Sequence, residues 1–401
     1  MIALPASIKL IDGNEFGILG ERFSLAMANA SATAITQRLI QFNTINPPGD
    51  EQDCTRHLGA MLESAGFEIN YFEYDERRTS LIARLAGRGT KPPFCFGGHV
   101  DVVPLGLAPW SVEPFAAKVE DGKLFGRGSS DMKSGVAAFV HAGLRLAQTE
   151  ERAADVVLLI VAGEETGCDG SKHVAELGVL PECGAVVIAE PTSNYPYLGH
   201  RGALWLEGTV TGRTAHGSMP ELGENAVYKA ARAVTKLEDF GFNERPDPLL
   251  GSTTLNVGTF EGGININSVP DRAKFTIDIR TIPGRDHAAT VMELGQYLGP
   301  EVELTTKVDV VPVLTDAEDP WVQETFTLLE PVLGEQPEPR GAPYFTDASA
   351  LTPACGNPPT LIMGPGEMAQ AHQSDEFCVV DRIEEAAELY HAMARRWCGL
   401  L

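Results

Sequence analysis

The sequence predicts an α/β protein: a larger domain on a mixed, mostly parallel sheet flanked by helices, with a smaller α+β domain carrying an antiparallel sheet inserted into it. Three observations predict it. Apolar, β-branched runs such as DVVLLIV and AVVIA read as strands buried on both faces, and they alternate with helical periodicities. Near residue 200 the texture changes to strands of alternating polarity, ALWLEGTVTG and AKFTIDIRT, the pattern of a half-exposed antiparallel sheet. From about residue 317 the first texture returns. A chain of 401 residues is too long for one ordinary domain. The division expected is an extension at 1–28, a discontinuous domain at 29–199 and 313–401, and an inserted domain at 200–312.

Taken in order, residues 30–46 (ASATAITQRLIQFNTIN) read as a helix with Ile35, Leu39 and Ile40 on one face, stopped by PPGDE. A second helix runs through CTRHLGAMLESAG. Strands follow as EINYFEY, SLIARLAG and FCFGG, and DGKLFGRG is a turn leading into a short strand. Val136, Phe139, Val140 and Leu144 recur at helical spacing over 133–148. DVVLLIVAG then runs into two glutamates, the helix SKHVAELGVL follows, and AVVIA ends in a third glutamate. In the insert, NAVYKAARAVTKLEDF and HAATVMELGQYL read as helices beside the alternating strands.

Bulk composition removes several classes of function. The formal net charge is −24, and so acidic a surface repels phosphate backbones, so nucleic acid is not an expected partner. No apolar run reaches the roughly 20 residues that span a bilayer, and the N-terminus lacks a basic leader region, so neither a membrane segment nor a signal peptide is expected. Seven cysteines with no C-x-x-C pair argue against a disulfide framework and a thiolate zinc site, and point to a reducing cytoplasm.

Ionisable residues gather at the C-terminal ends of the buried strands, where α/β sheets place their chemistry. His99 and Asp101 follow FCFGG, Asp131 lies in GRGSSDMKSG, Glu164 and Glu165 end DVVLLIVAG, Glu190 ends AVVIA, and His372 follows TLIMG. Singly, each has an ordinary reading: a hydrogen-bonded loop histidine, an N-capping Asp before the helix at Lys133, a solvated Glu pair. Together they would converge on one rim, where several carboxylates repel one another unless a divalent metal pair compensates them. Two Zn²⁺ would be balanced by Asp131, Glu165, Glu190 and a hydroxide, with neutral His99 and His372 completing the shells.

Six motifs in order now carry a resemblance: GGHVDVVP, WSVEPF with DGKLFGRGSSDMKSG, GEE, AEPT, GRTAHGSMPELGENA and AHQSDEF. The chain resembles the dinuclear-zinc amidohydrolases that include acetylornithine deacetylase, succinyl-diaminopimelate desuccinylase, aminoacylase and glutamate carboxypeptidase, over about residues 30–395. The resemblance implies that His99 and Glu190 hold one zinc, Glu165 and His372 the other, and that Asp131 bridges them, often with a cis peptide just after it. Co²⁺ or Mn²⁺ are possible substitutes. It implies Glu164 as general base and Asp101 as the group that orients His99 through its other nitrogen. It implies His216 as an oxyanion donor, often supplied by the partner subunit, so a homodimer through the inserted lid/dimerisation domain is expected. Asn267 matches a substrate-contact position.

Arg280 is the natural clamp for a substrate carboxylate, and the Gly364–Gly366 loop is expected to offer backbone N–H groups to the same carboxylate. The expected activity is hydrolysis of an N-acyl-L-amino acid, acetylornithine deacetylase-like. The alternatives are a dipeptidase or carboxypeptidase of the glutamate carboxypeptidase type, or succinyl-diaminopimelate desuccinylase. A Glu stands at the place of Asp347 in acetylornithine deacetylases, and the segment YFTDASAL is expected to line the substrate pocket, so the acyl group and amino acid stay open. No G-x-S-x-G elbow supports a serine hydrolase.

Overall fold

The computed structural model describes residues 30–149 and 151–400; the expected extension at 1–28 lies outside them. In chain order the strands are β1 (Glu68–Asp75), β2 (Arg78–Leu85), β3 (Phe94–His99), β4 (Lys118–Glu120), β5 (Lys123–Phe125), β6 (Val156–Val161), β7 (Ala185–Ile188), β8 (Gly199–His200), β9 (Gly202–Thr211), β10 (Thr254–Gly262), β11 (Arg272–Thr281), β12 (Val302–Val310), β13 (Val313–Leu314), β14 (Thr360–Ile362) and β15 (Phe377–Val379).

The principal sheet has the order β1-β2-β6-β3-β7-β14. Strands β6, β3, β7 and β14 run parallel, while β1 and β2 add an antiparallel edge. The period-2 rule sorts the side chains. Phe94, Phe96, Val156, Leu158 and Ile160 face the helices Ala32–Ile40, Lys133–Ala147 and Val380–Trp397. Cys95, Val157, Leu159, Val186 and Ile188 face the helices Asp169–Glu176 and Ala348–Ala354. Each buried Val, Leu or Ile side chain contributes about 1.5–3 kcal/mol of hydrophobic stabilisation, which is why these strands read as unbroken apolar runs.

The first helix is shorter than its periodicity suggests. Ser31 caps it through Ala34 N, and it ends at Ile40 instead of residue 46. Residues 44–46 are drawn off to pair with the segment after β3: Val102 N donates to Thr44 O, and Asn46 N to Val102 O. This competing pairing carries Asn46 to Asp101.

The second sheet is wholly antiparallel, in the order β10-β11-β9-β12. Ala273, Phe275, Ile277 and Ile279 of β11 pack with the helices Ala226–Glu238 and His287–Leu298 in a separate core. Asn225 and Asp286 cap those helices. The intervening residues Lys274, Thr276, Asp278 and Arg280 lie on the opposite face. The chain passes between the two sheets twice, and both crossings lie side by side: β8 pairs with β13, Gly199 opposite Leu314 and His200 opposite Val313. Only glycine fits at Gly199, where a Cβ would stand 2.0 Å from Val313 O.

Candidate active site

Four parallel strand ends deliver the chemistry to one rim. His99 is the last residue of β3, Glu164 and Glu165 follow β6, Glu190 follows β7, and His372 lies in the loop after β14. Asp131 enters from the loop before the helix Lys133–Ala147. It is not an N-cap: Met132 occupies that position without a side-chain cap, and the Asp131–Met132 peptide is cis. The Asp131 carboxylate is divided between two imidazoles, Oδ1 lying 3.4 Å from His99 Nε2 and Oδ2 3.4 Å from His372 Nε2. His372 Nε2 lies 3.2 Å from Glu165 Oε2, and His99 Nε2 lies 3.8 Å from Glu190 Oε1. Glu164 Oε2 stands 3.9 Å from His99 Nε2.

The backing of this rim differs from expectation at Asp101. His99 Nδ1 lies 3.0 Å from the Asp101 backbone carbonyl, and the carboxylate is farther away, at 3.5 Å. The buried carboxylate instead accepts from Asn46 Nδ2 (2.9 Å), Glu164 N (3.1 Å) and Glu165 N (3.2 Å). One residue therefore sets the imidazole through its main chain and the two glutamates through its side chain. Gly97 and Gly98 are strand residues, as FCFGG suggests; they leave room for Ile188 and Met132, whose side-chain atoms a Cβ would meet at 2.7 and 2.6 Å.

Glu376 went unnoticed in the sequence, although it belongs to AHQSDEF. It is fully buried, takes an ion pair from Arg127 Nη1 at 2.7 Å, and accepts the N–H groups of Gly128, Ser130 and Asp131. It ties the Asp131 loop to the segment that carries His372.

The residues fit a metal. His99, Asp131 and Glu165 each present a ligand atom, all within 4.8 Å of one another. His99 Nε2 and Glu165 Oε1 are buried without a hydrogen-bond partner, a costly state unless something else satisfies them. Charge tells the same story. Burial holds the Glu164 and Glu190 carboxyls well above the usual carboxylate range, with neighbouring carboxylates adding to it. Burial, then Asp131, raises Glu165. Burial opposes a charge on His99, yet Asp101, Asp131 and Glu190 lift it well above an ordinary imidazole. Asp131 and Glu165 lift His372 to about 10. So crowded a set of acceptors draws in cations.

The rim opens into a cavity of about 310 Å³, lined also by Trp205, Arg280, Tyr344, Phe345 and Met368. Arg280 thus joins the metal-side residues. His216 and Asn267 do not: both are exposed, beside one another, with Gly217 N donating to Asn267 O and His216 Nδ1 2.7 Å from Ser218 Oγ. Gly364 and Gly366 are buried and absent from the cavity wall. The Gly364 N–H is already given to Thr192 Oγ1, so Gly364 has no free amide to offer. Of YFTDASAL, Tyr344 and Phe345 line the cavity, whereas Asp347 is buried behind it on Ser171 Oγ at 2.6 Å. Cys168 Sγ approaches Glu164 Oε1 at 4.0 Å from the same side. His141, His200 and His287 are engaged by other residues away from the rim.

Comparison with known proteins agrees. The profile of Peptidase family M20/M25/M40 matches residues 95–396. A probable succinyl-diaminopimelate desuccinylase from Staphylococcus epidermidis is 30% identical over 376 residues, covering 85% of this chain and 91% of its own. An acetylornithine deacetylase from Proteus mirabilis is 31% identical over 353 residues, covering 85% and 89%. Among solved structures, an M20 family metallo-carboxypeptidase from Sulfolobus solfataricus superposes with a TM-score of 0.76 at 20% identity, over 91% of this chain and 98% of that one. A dipeptidase from Saccharomyces cerevisiae gives 0.74 at 15% identity, over 96% and 98%. The chain belongs to the Peptidase family M20/M25/M40 and is a metal-dependent amidohydrolase.

Proposed function

We propose that the protein hydrolyses the amide bond of N-acyl-L-amino acids, with two divalent ions, zinc or a cobalt or manganese substitute, at the strand-end rim. The observation that carries this reading is the Asp131 carboxylate, divided between His99 and His372, each of which faces a further carboxylate. His99 and Glu190 would hold one ion, Glu165 and His372 the other, with Asp131 between. When bound, the ions supply Lewis acidity that activates water and polarises the amide carbonyl.

The chain's own groups do the rest. Glu164 is buried beside the rim, and that burial raises the proton affinity of its carboxylate. It takes the proton from the attacking water and returns it to the leaving nitrogen. Arg280, on the wall of the cavity, forks the substrate carboxylate and fixes the amide over the rim. His216 and Asn267 reach the substrate from a partner subunit, residues 200–312 acting as an inserted lid and dimerisation domain. All seven cysteines are free, in keeping with a cytoplasmic setting.

The similarity to a desuccinylase and a deacetylase supports an acyl amino acid as substrate over a peptide. The test is an amine-release assay over N-acetyl, N-succinyl and dipeptide substrates. At least one acyl amino acid should be turned over, and Glu164→Gln should lose about 10²–10⁴-fold in kcat while binding the same metal equivalents. Dipeptide-only activity, or a fully active Glu164→Gln variant, would remove the proposal.

A further inference from the structure

The small sheet turns a polar face toward the cavity, and three of its side chains form one unit. Asp278 lies opposite Trp205 in the β9–β11 register, and Arg280 follows two residues later on the same face. Trp205 Nε1 donates to Asp278 Oδ1 at 2.9 Å. Arg280 Nε lies 2.9 Å from the same oxygen, and Nη2 donates to Oδ2 at 3.1 Å. One carboxylate thus holds an indole and one edge of a guanidinium. The other edge of the guanidinium is left for a ligand.

On the cavity wall Phe345 meets Trp205 edge to face, with ring centres 5.9 Å apart at 75°. Arg280 Cζ stands 5.8 Å from the Trp205 ring centre and 5.9 Å from that of Phe345. Tyr344, Met368 and Pro191 extend the apolar surface. Among the described residues, the carboxylates on the cavity wall are those of the rim: Asp131, Glu164, Glu165 and Glu190. A cationic side chain placed beside Arg280 would meet like charge, and the Asp278 carboxylate there is already taken by Arg280 and Trp205.

We propose that Asp278 is a positioning residue that locks Arg280 and Trp205 into one recognition wall, and that this wall selects acyl amino acids in which an aromatic or bulky apolar side chain adjoins the carboxylate. The inference rests on the acyl amino acid reading above and names its substrate class. A guanidinium braced on one edge presents two parallel N–H groups on the other, the geometry that a carboxylate accepts bidentately. Trp205 and Phe345 supply rigid apolar area at the same spot. A flexible ornithine side chain offers neither the shape nor the charge.

The test uses the metal-loaded enzyme and two readouts. With N-acetyl-L-phenylalanine and N-acetyl-L-ornithine as substrates, kcat/KM should favour the former by about tenfold or more, the loss expected when an apolar pocket receives the wrong side chain. Asp278→Asn should raise KM for N-acetyl-L-phenylalanine about tenfold, as loss of a charge-assisted brace on Arg280 implies, with kcat changed far less. Asp278→Glu should recover part of it, and the loss on N-acetyl-L-phenylalaninamide, which lacks the carboxylate, should be much smaller.

Calorimetric titration with 3-phenylpropanoate reads the wall without turnover: it should bind the wild type and bind Asp278→Asn about tenfold more weakly. Binding of 3-phenylpropanoate with no hydrolysis of any acyl amino acid would remove the reaction proposed above and leave the wall standing. Hydrolysis that favours N-acetyl-L-ornithine, or an Asp278→Asn variant impaired in kcat alone and equally on acid and amide, would overturn the inference.

Discussion

The Arg127–Glu376 pair allows a sharp calculation. Both side chains are buried, at 1% and 0% exposure, and Glu376 also accepts three backbone N–H groups from the Asp131 loop. Glu376→Gln keeps the shape but strands the Arg127 charge and points an amide N–H₂ at donors. Removing one partner of a buried pair costs about 3–5 kcal/mol, a large part of the roughly 5–15 kcal/mol that stabilises a typical protein. The Asp131 loop would loosen too, and the loss of such backing lowers metal affinity about 10–100-fold. Urea unfolding of the metal-free protein measures the first effect and metal titration the second. The double variant Arg127→Met/Glu376→Gln removes the stranded charge, so it should be no less stable than Glu376→Gln alone. Stability within about 1 kcal/mol of wild type for Glu376→Gln, against the penalty above, or simple additivity in the double variant, would refute this account.

Two further expectations follow. His372, raised from 6.5 to about 10 by Asp131 and Glu165, contributes stability that is complete below 6.5 and is lost as pH rises through about 10. Glu164 and Glu190, held up by burial, act in the same direction, because the folded state binds their protons more tightly than the unfolded chain does. The thermal midpoint of chelated protein should therefore fall as pH rises over that interval, and divalent metal should raise and flatten it; a midpoint that rises with pH would contradict the charge reading. If His216 serves the partner's site, His216→Ala and Glu164→Gln are each inactive, but their equimolar mixture should regain about a quarter of wild-type activity through hybrid dimers. Exchange of subunits without recovery would count against action across the interface.

The strands were legible because burial on both faces demands unbroken β-branched runs, and the order of rim residues followed from their position at strand ends. His99, Asp131, Glu164, Glu165, Glu190 and His372 do lie together. What escaped reading depended on contacts distant in sequence. Asn46 reaches Asp101 only because residues 44–46 leave the helix for a strand end. Glu376 faces Arg127 across 249 positions. Gly364 looked like a free donor until Thr192 took its N–H. Trp205 read as one alternating residue among many, and only the folded register sets it beside Asp278.

The paired crossings at Gly199–His200 and Val313–Leu314 have a mechanical consequence. A single connecting strand would let the two sheets swivel freely. Two strands hydrogen-bonded side by side make a ribbon, which flexes across its face but resists torsion and shear in its plane. Relative motion of the sheets is thereby confined toward a single axis. Trp205, Asp278 and Arg280, hydrogen-bonded to one another, would then move with the small sheet as one unit.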